Sequence, residues 1–313
     1  MKVFVLGGIN EDVVAYVDDL PRRGETVAAR GLHRSAGGKG LNQAVAASRF
    51  GGAVTMLGAI GNDAAGAFLR ATLQEAKVAD THVLAHDGVA TGQALICLAA
   101  DGDNTIVVNA GANAHFGSAE IEAAAPDVPA VFLTQFEAML PAIEALFRLP
   151  AARDGVRILN TAPALDEGAH LLPLADILIL NETELQRFAR LPTPPEGREE
   201  VLAAVRALGS RSGQKAIVTL GAAGCVLVDG PRVVHFPAFP AVPVDTIGAG
   251  DCFCGVLATA LAEGAVIDDA IRSASAAAAL SVQRSGAASS SPFRQEVEAL
   301  LNKAVDAVAF VPE

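Results

Sequence analysis

Short apolar runs of strand length recur along the chain, and most are followed by a stretch with helical periodicity. Val3 to Leu6 is an unbroken apolar run ending at Gly7-Gly8, the pattern of a parallel strand buried on both faces. Val54 to Ile60, Val131 to Gln135, Arg157 to Asn160, Ile177 to Leu180 and Ala216 to Leu220 read the same way. Between them fall helical stretches: Gly40 to Phe50, closed by Gly51-Gly52, then Ala64 to Lys77, Ala138 to Phe147, Glu182 to Ala189 and Glu199 to Leu208. Asp268 to Gln283 and Glu296 to Ala307 are two further Ala-containing helices, and the proline-rich stretch Leu191 to Gly197 is a surface loop. Strands alternating with helices predict an α/β protein: a mostly parallel sheet covered on both faces, in three α/β/α layers.

Two regions break this rhythm. Asp12 to Asp18 and Thr26 to His33 flank the turn Pro21-Arg-Arg-Gly24, and Thr91 to Ala99 and Thr105 to Asn109 form a hairpin around Asp101-Gly-Asp-Asn104. They predict a small second sheet acting as a flap. The chain then reads as one domain, 1–313, with lid segments at about 11–34 and 90–110. It shows no internal repeat, low-complexity tail or interdomain linker.

Of 313 residues, 51% are hydrophobic, with no Trp and one Tyr, so aliphatic residues, Ala and Phe must fill a large core. The net charge of −12 disfavours non-specific binding to nucleic acid or anionic membrane. It does not exclude an anionic substrate, because local N–H groups and metal ions override net charge. No 18-residue apolar run occurs, and the first apolar run is too short for a signal peptide, so the expectation is a soluble, cytoplasmic protein. Cys97, Cys225, Cys252 and Cys254 lack zinc-finger spacing and read as reduced thiols. The six histidines show neither metal nor triad spacing.

The segment with most chemistry is Asp245-Thr-Ile-Gly-Ala-Gly-Asp251. A strand-like run from Arg232 to Val244 feeds it, and an apolar, small-residue helix begins near Asp251. Backbone N–H groups at a helix N-terminus favour negative charge. A carboxylate at the same point completes what phosphoryl transfer to an alcohol needs, although an ordinary turn with an N-terminal Asp has the same pattern. Ser35-Ala-Gly-Gly-Lys-Gly-Leu-Asn42 precedes another helix. Its glycines let a ligand approach the backbone, Lys39 adds charge and Asn42 offers donor and acceptor; plain helix packing is the alternative. It is not a Walker A loop. Asn10 and Asp12 follow the first strand, where open α/β sheets bind ligands, and suit either sugar hydroxyls or a solvated turn. In Asn181-Glu-Thr-Glu184 the second acid fits a Mg²⁺-bound water or a helix cap. Thr219-Leu-Gly-Ala-Ala-Gly224 fits a nucleotide-bordering turn or a simple β-turn.

In this order, each at a strand end, the five segments closely resemble the ribokinase (PfkB-type) family of sugar kinases. Ser35 to Ala47 looks like the family's N-terminal signature and Asp245 to Asp251 like its C-terminal one. Pro21-Arg-Arg-Gly-Glu-Thr26, Asn109-Ala-Gly-Ala-Asn113, Asn160-Thr-Ala-Pro-Ala164 and Asn181 to Glu184 support the likeness, which runs from Val5 to Pro292. The resemblance implies the three-layer ribokinase-like sandwich and ATP-dependent phosphorylation of a sugar's primary hydroxyl, D-ribose first. Deoxyribose, fructose or a nucleoside are alternative acceptors, and a non-catalytic sugar sensor is the alternative from another class. A dinucleotide-dependent oxidoreductase is disfavoured, because Gly7-Gly8 lacks the Gly-x-Gly-x-x-Gly turn.

The roles it implies are these. Asp251 is the general base, and Gly248, Ala249 and Gly250 form the anion hole. Asn10, Asp12, Gly38, Lys39, Asn42 and Glu137 hold the sugar. Asn181, Thr219, Leu220, Gly221, Ala222, Ala223 and Gly224, with Gly250 and Ser275, line the ATP site, and Glu184 lies near Mg²⁺. A K⁺ ion is expected at Asp245, Ile247, Ser281, Arg284, Gly286 and Ser290, in part through backbone carbonyls. A homodimer through the lids is also implied, since the apolar faces of 12–18 and 91–99 would otherwise be exposed. The flap strands offer a nucleobase Leu95, Ile96, Cys97 and Val107 but no aromatic, which favours a bare sugar. Cys252 and Cys254 stand where the family more usually has polar residues. Two inert small side chains are one reading; an oxidisable Cys252, its thiol activated by the helix N-terminus, is the other.

Overall fold

The computed structural model describes residues 1–195, 197–208 and 211–309. Glu196 of the expected proline-rich loop and the last four residues of the expected domain lie outside the described residues. A nine-stranded sheet forms the middle layer. Its strands, in chain order, are β1 (Val3–Leu6), β4 (Val54–Gly61), β5 (Ala79–His86), β8 (Val131–Gln135), β9 (Val156–Asn160), β10 (Ile177–Asn181), β11 (Lys215–Thr219), β12 (Cys225–Asp229) and β13 (Arg232–Phe236). They are arranged β13-β12-β11-β10-β9-β8-β1-β4-β5, with every pair parallel except β11–β12 and β12–β13. Alternation within β1 shows why both faces need cover: Val3 and Val5 join one buried cluster, Phe4 and Leu6 the other.

The first cluster is closed by α1 (Lys39–Arg49), α2 (Ala64–Glu75), α8 (Ala249–Ala262), α9 (Ile267–Ser281) and α10 (Arg294–Ala309). The second is closed by α3 (Ser118–Ala123), α4 (Leu140–Arg148), α5 (Pro150–Arg153), α6 (Glu182–Phe188) and α7 (Gly197–Ala207). The small sheet is separate. It runs β3-β2-β6-β7, from β2 (Asn10–Tyr16), β3 (Gly31–Gly37), β6 (Gly92–Leu98) and β7 (Asn104–Asn109), with β2 and β6 parallel.

Several boundaries differ from the sequence reading. β3 occupies Gly31–Gly37 rather than Thr26 to His33, so Ser35 to Gly37 are the last strand residues and feed α1 directly. The run expected to continue from Arg232 to Val244 stops at Phe236, where Pro237, Pro240 and Pro243 each remove a ladder donor. α4 starts at Leu140, not Ala138, because Met139 is extended (ψ 129°) ahead of Pro141. β5 and α3 carry too little periodicity to be read from sequence, and β12 is a further apolar strand that the sequence reading does not contain. Tyr16 also corrects the expectation of no aromatic on the flap: it ends β2, six residues and roughly 20 Å along the strand from Asn10. All four cysteines are free. Among the described residues, no helix is long and apolar enough to cross a membrane.

Candidate active site

Asp251 lies in the first turn of α8, which starts after Gly248 in a left-handed conformation (φ 76°). A Cβ on Gly248 would lie 2.8 Å from both Cα and Cβ of Ala287, whereas one on Gly250 would meet nothing within 4 Å. The turn is therefore fixed from behind and open in front. The Ala249 N–H donates to the Thr246 carbonyl at 3.3 Å, while the N–H groups of Gly250 and Asp251 have no acceptor within the helix, so this open side can receive an anion.

The Asp251 side chain is buried, 7% exposed, and turns toward α1. Asn42 Nδ2 donates to its Oδ2 and Gln43 Nε2 to its Oδ1, both at 3.0 Å. The two helices come this close because Gly255 faces α1: a Cβ there would lie 2.3 Å from the Gln43 carbonyl oxygen. Gln43 also donates to Asn160 Oδ1 (3.2 Å) and accepts from Gln135 Nε2 (3.3 Å), and Gln135 Nε2 donates to the Leu6 carbonyl (3.0 Å). One buried network thus ties α1 and α8 to three strands of the large sheet. Gln43→Leu should lower unfolding stability by about 1–3 kcal/mol in urea titrations, because its partners stay buried without it. A change under about 0.5 kcal/mol would show that they find other partners.

The residues expected to hold a sugar do converge. Asn10 Oδ1 accepts from Asn113 Nδ2 at 2.8 Å, and Asn113 also bonds the Ile9 backbone. Glu137 Oε2 accepts the Lys39 backbone N–H at 2.8 Å. Gly38 (φ 85°) starts α1 with its backbone against Gly8, whose carbonyl oxygen a Cβ would approach to 2.5 Å. Burial, then the charges of Glu137 and Asp251, raise the Asp12 pKa to about 6, with Lys39 opposing. Burial also raises Glu137, against Lys39. Burial alone would lower Lys39, but Asp251, Glu137 and Glu184 together carry it above its ordinary value. Asn42 Oδ1 is buried without a hydrogen-bond partner, a free acceptor beside these charges.

At the carboxyl ends of β10 and β11, Asn181 and Thr219 are register partners. Asn181 caps α6 and shares a capping box with Glu184, as the structural reading of that motif required. Glu184 is nevertheless buried, also accepts from Thr161 Oγ1 (3.1 Å), and has its pKa raised by that burial. Thr219 Oγ1 donates to the Leu180 carbonyl, and Leu220 to Gly224 turn back into β12, with Gly221 to Ala223 exposed. Ser275 is mostly buried on α9, where its side chain hydrogen-bonds the Cys225 thiol.

The expected cation positions come from two loops that touch. Asp245 Oδ1 accepts from the Ile247 N–H and Oδ2 from the Gly286 N–H, both at 2.9 Å. Ser281 and Ser290 donate to the carbonyls of Ala278 and Ala287, and the Arg284 guanidinium pairs with Glu296. That leaves backbone carbonyls and hydroxyl lone pairs, an all-oxygen set suited to a hard monovalent cation. Among the described residues, no group of three or more His, Cys, Asp and Glu could hold a metal ion.

Burial bears on the two readings of Cys252. Cys252 is fully buried, and burial pushes its thiol up to about 12, overriding any lowering by the helix N-terminus. Cys254 is raised by the same cause, so burial favours the reading of two inert small side chains over an oxidisable Cys252. A cavity of about 930 Å³ lies away from Asp251, at the C-terminal end of α1, among Arg34, Ser48, Arg49, Phe68, Ala288 and Phe293. Gln43, Asn113, Gln135 and Thr161 belong to the site without having been singled out. Gln43 had a visible signal as a polar residue beside Asn42 inside an Ala-rich helix, and Asn113 and Thr161 lie within segments that carry the family resemblance, whereas Gln135 had none.

A family profile described as pfkB family carbohydrate kinase matches residues 1–294. The ribokinase of Haemophilus influenzae is 34% identical over 303 residues, covering 96% of this chain and 98% of that protein. The ribokinase of Bacillus subtilis is 36% identical over 303 residues, covering 96% and 99%. Among solved structures, Arabidopsis thaliana ribokinase complexed with ribose and ATP superposes with a TM-score of 0.83 at 31% identity, covering 96% of this chain and 98% of that one.

Proposed function

The chain belongs to the pfkB family of carbohydrate kinases, and from that premise we propose that it transfers the γ-phosphoryl group of ATP to the primary hydroxyl of D-ribose. The observation that carries this reading is the pairing of a buried Asp251 carboxylate with an open Gly248-Ala-Gly250 turn, fronted by Asn10, Asp12, Lys39, Asn42 and Glu137. The choice of ribose is supported by the two ribokinase relatives and by the ribose and ATP complex of the Arabidopsis enzyme.

Asp251 accepts the hydroxyl proton as the sugar oxygen bonds to phosphorus, and the electrons of the breaking bond leave with ADP. Proton transfer comes late in a loose transition state, so a carboxylate suffices as base. The first-turn N–H groups of α8 receive the charge on the transferred group. Asp12, Glu137 and Asn42 Oδ1 accept hydrogen bonds from sugar hydroxyls, while Lys39 balances the three carboxylates around it. Asn181, Thr219 to Gly224 and Ser275 border the nucleotide. Glu184, a lone buried carboxylate, fits the water shell of Mg²⁺, and the carbonyls of 245–247 and 284–290 fit K⁺. Mg²⁺ would neutralise phosphate charge and K⁺ would add positive potential near the turn.

The small sheet serves as the lid, its closure excluding water that would otherwise hydrolyse ATP. One face of it leaves Leu95 48% and Val107 59% exposed. That face is the contact surface of a homodimer, with a mass of two chains expected in light scattering.

Asp12 links this reading to stability. Its pKa rises from 3.8 to about 6 on folding, so the charged carboxylate penalises the folded state fully above pH 6. The penalty fades as pH falls from 6 toward 4, where the folded protein holds the proton. Asp12→Asn should therefore stabilise the protein by about 1–2 kcal/mol at pH 8 and by almost nothing near pH 4, while ribose KM rises roughly tenfold. Thermal melts across pH, with KM at pH 8, check both halves; an Asn variant less stable at pH 8 contradicts them.

The direct test is ADP release from ATP and Mg²⁺ with ribose, deoxyribose, fructose and nucleosides, each with K⁺ or Na⁺. The expected result is turnover highest on ribose and raised by K⁺. Turnover highest on another acceptor overturns the ribose assignment. Ribose binding without turnover on any acceptor favours a sensor.

A further inference from the structure

We propose that Arg49 is a positioning residue for phosphoryl transfer, clamping the 287–291 loop against the Gly248 turn. Arg49 ends α1, the helix whose first turns supply Asn42 and Gln43 to Asp251. Its Nη1 donates to three backbone carbonyls of one loop: Ala288 at 3.1 Å, Ser289 at 2.8 Å and Ser291 at 2.8 Å. Its guanidinium carbon also lies 5.3 Å from the centroid of the Phe293 ring. A guanidinium placed against several carbonyls cross-links backbone that has no ladder of its own.

The clamped loop is the wall behind the proposed cradle. Ala287 is what a Cβ on Gly248 would strike, and the neighbouring Gly286 N–H donates to Asp245 at the other end of the same turn. A closed circuit results. α1 holds Asp251 through two amides, α8 carries Asp251 and the turn, the turn rests on the loop, and Arg49 returns the loop to α1. Asp251 and the N–H groups are thereby fixed relative to each other from both ends of one helix. Loosening the circuit moves the cradle, not the sugar-holding groups, so it should lower kcat with little change in sugar KM. The proposal rests on reading 245–250 as the phosphoryl cradle.

Arg49 also borders the 930 Å³ cavity, which is open to solvent. A truncated side chain there leaves a space that a free guanidinium ion can enter. The experiment compares wild type, Arg49→Ala and Arg49→Lys for kcat, ribose KM and thermal midpoint, with and without millimolar guanidinium chloride, using sodium chloride as the control. Arg49→Ala should lose about 10–100-fold in kcat with ribose KM within about threefold of wild type. Guanidinium, but not sodium, should restore several-fold of the loss. Arg49→Lys should be impaired too, because an ammonium cannot reproduce the planar fork. A folded Arg49→Ala with wild-type kcat overturns the proposal, as does a loss that guanidinium does not relieve. If Arg49→Ala fails to fold, Arg49→Lys decides: reduced kcat with KM held supports the clamp, and unchanged kcat overturns it. Wild type inactive on every sugar would instead overturn the cradle reading itself.

Discussion

Asp251→Asn should bind ribose and ATP nearly as wild type does and yet turn over about 10²–10⁴-fold more slowly, the range for losing a positioned base. The substitution keeps shape and burial and removes only the proton acceptor. It does set an amide NH₂ against two amide donors, Asn42 Nδ2 and Gln43 Nε2. Gln43 cannot turn, because Asn160 and Gln135 hold both of its ends. Asn42 can, because its Oδ1 has no partner within the protein, and the Nδ2 that takes its place after the flip can donate to the same sugar hydroxyl. The local structure therefore adapts through one amide flip, and the deficit falls on chemistry. Calorimetric ribose affinity beside single-turnover rates separates the two effects. A rate within tenfold of wild type would remove Asp251 from the base role; lost ribose binding would mean that it mainly shapes the pocket.

Gly248→Ala has the second-largest expected effect and tests the cradle without touching a side chain that bonds substrate. At φ 76° an alanine is strained by about 1–2 kcal/mol. Its methyl would also lie 2.8 Å from backbone and side-chain carbon of Ala287. The turn must shift, and its N–H groups leave the line of the transferred phosphoryl. A loss of about 10²–10³-fold in kcat is expected, the range for removing one oxyanion donor. Gly264 supplies the control. It has φ 92° at the end of the same helix, and a Cβ there would meet nothing within 4 Å. Gly264→Ala carries the φ strain without the clash and should leave kcat unchanged. Equal loss of activity in both variants would assign the effect to general destabilisation.

What was legible in the sequence follows from range. The two glycine-rich helix starts were readable because the N-terminus of a helix, its glycines and its first carboxylate or lysine are contiguous. The large sheet was readable because β1, β8 and β10 are buried on both faces over most of their length and so begin as unbroken apolar runs. β5 was not, because only Val83 of its eight residues is buried and His82 and His86 interrupt the pattern. The contacts of Gln135 and Asn113 were not, because their partners lie 129 and 104 residues away, at Leu6 and Ile9. The fate of Cys252 was hidden for a related reason: position at a helix start is local, whereas its burial by α1 and the 281–291 region is not.

The glycines around the sugar-holding groups also bear on how this site can diverge. Gly8 lies against the Glu137 carboxylate, Gly37 against that of Asp12, and Gly92 against the amides of Asn10 and Asn113, each so closely that a Cβ would come within 2.3 Å. A mutation at any of the three displaces a polar group before it reshapes the cavity, so drift toward a new acceptor is barred along those walls. Ala94, register partner of Asp12 on the same face of the small sheet, already carries a side chain and is 9% exposed. Among relatives with these glycines, changes of acceptor should accumulate on that strand of the flap, where the cavity can be enlarged or narrowed one methyl at a time.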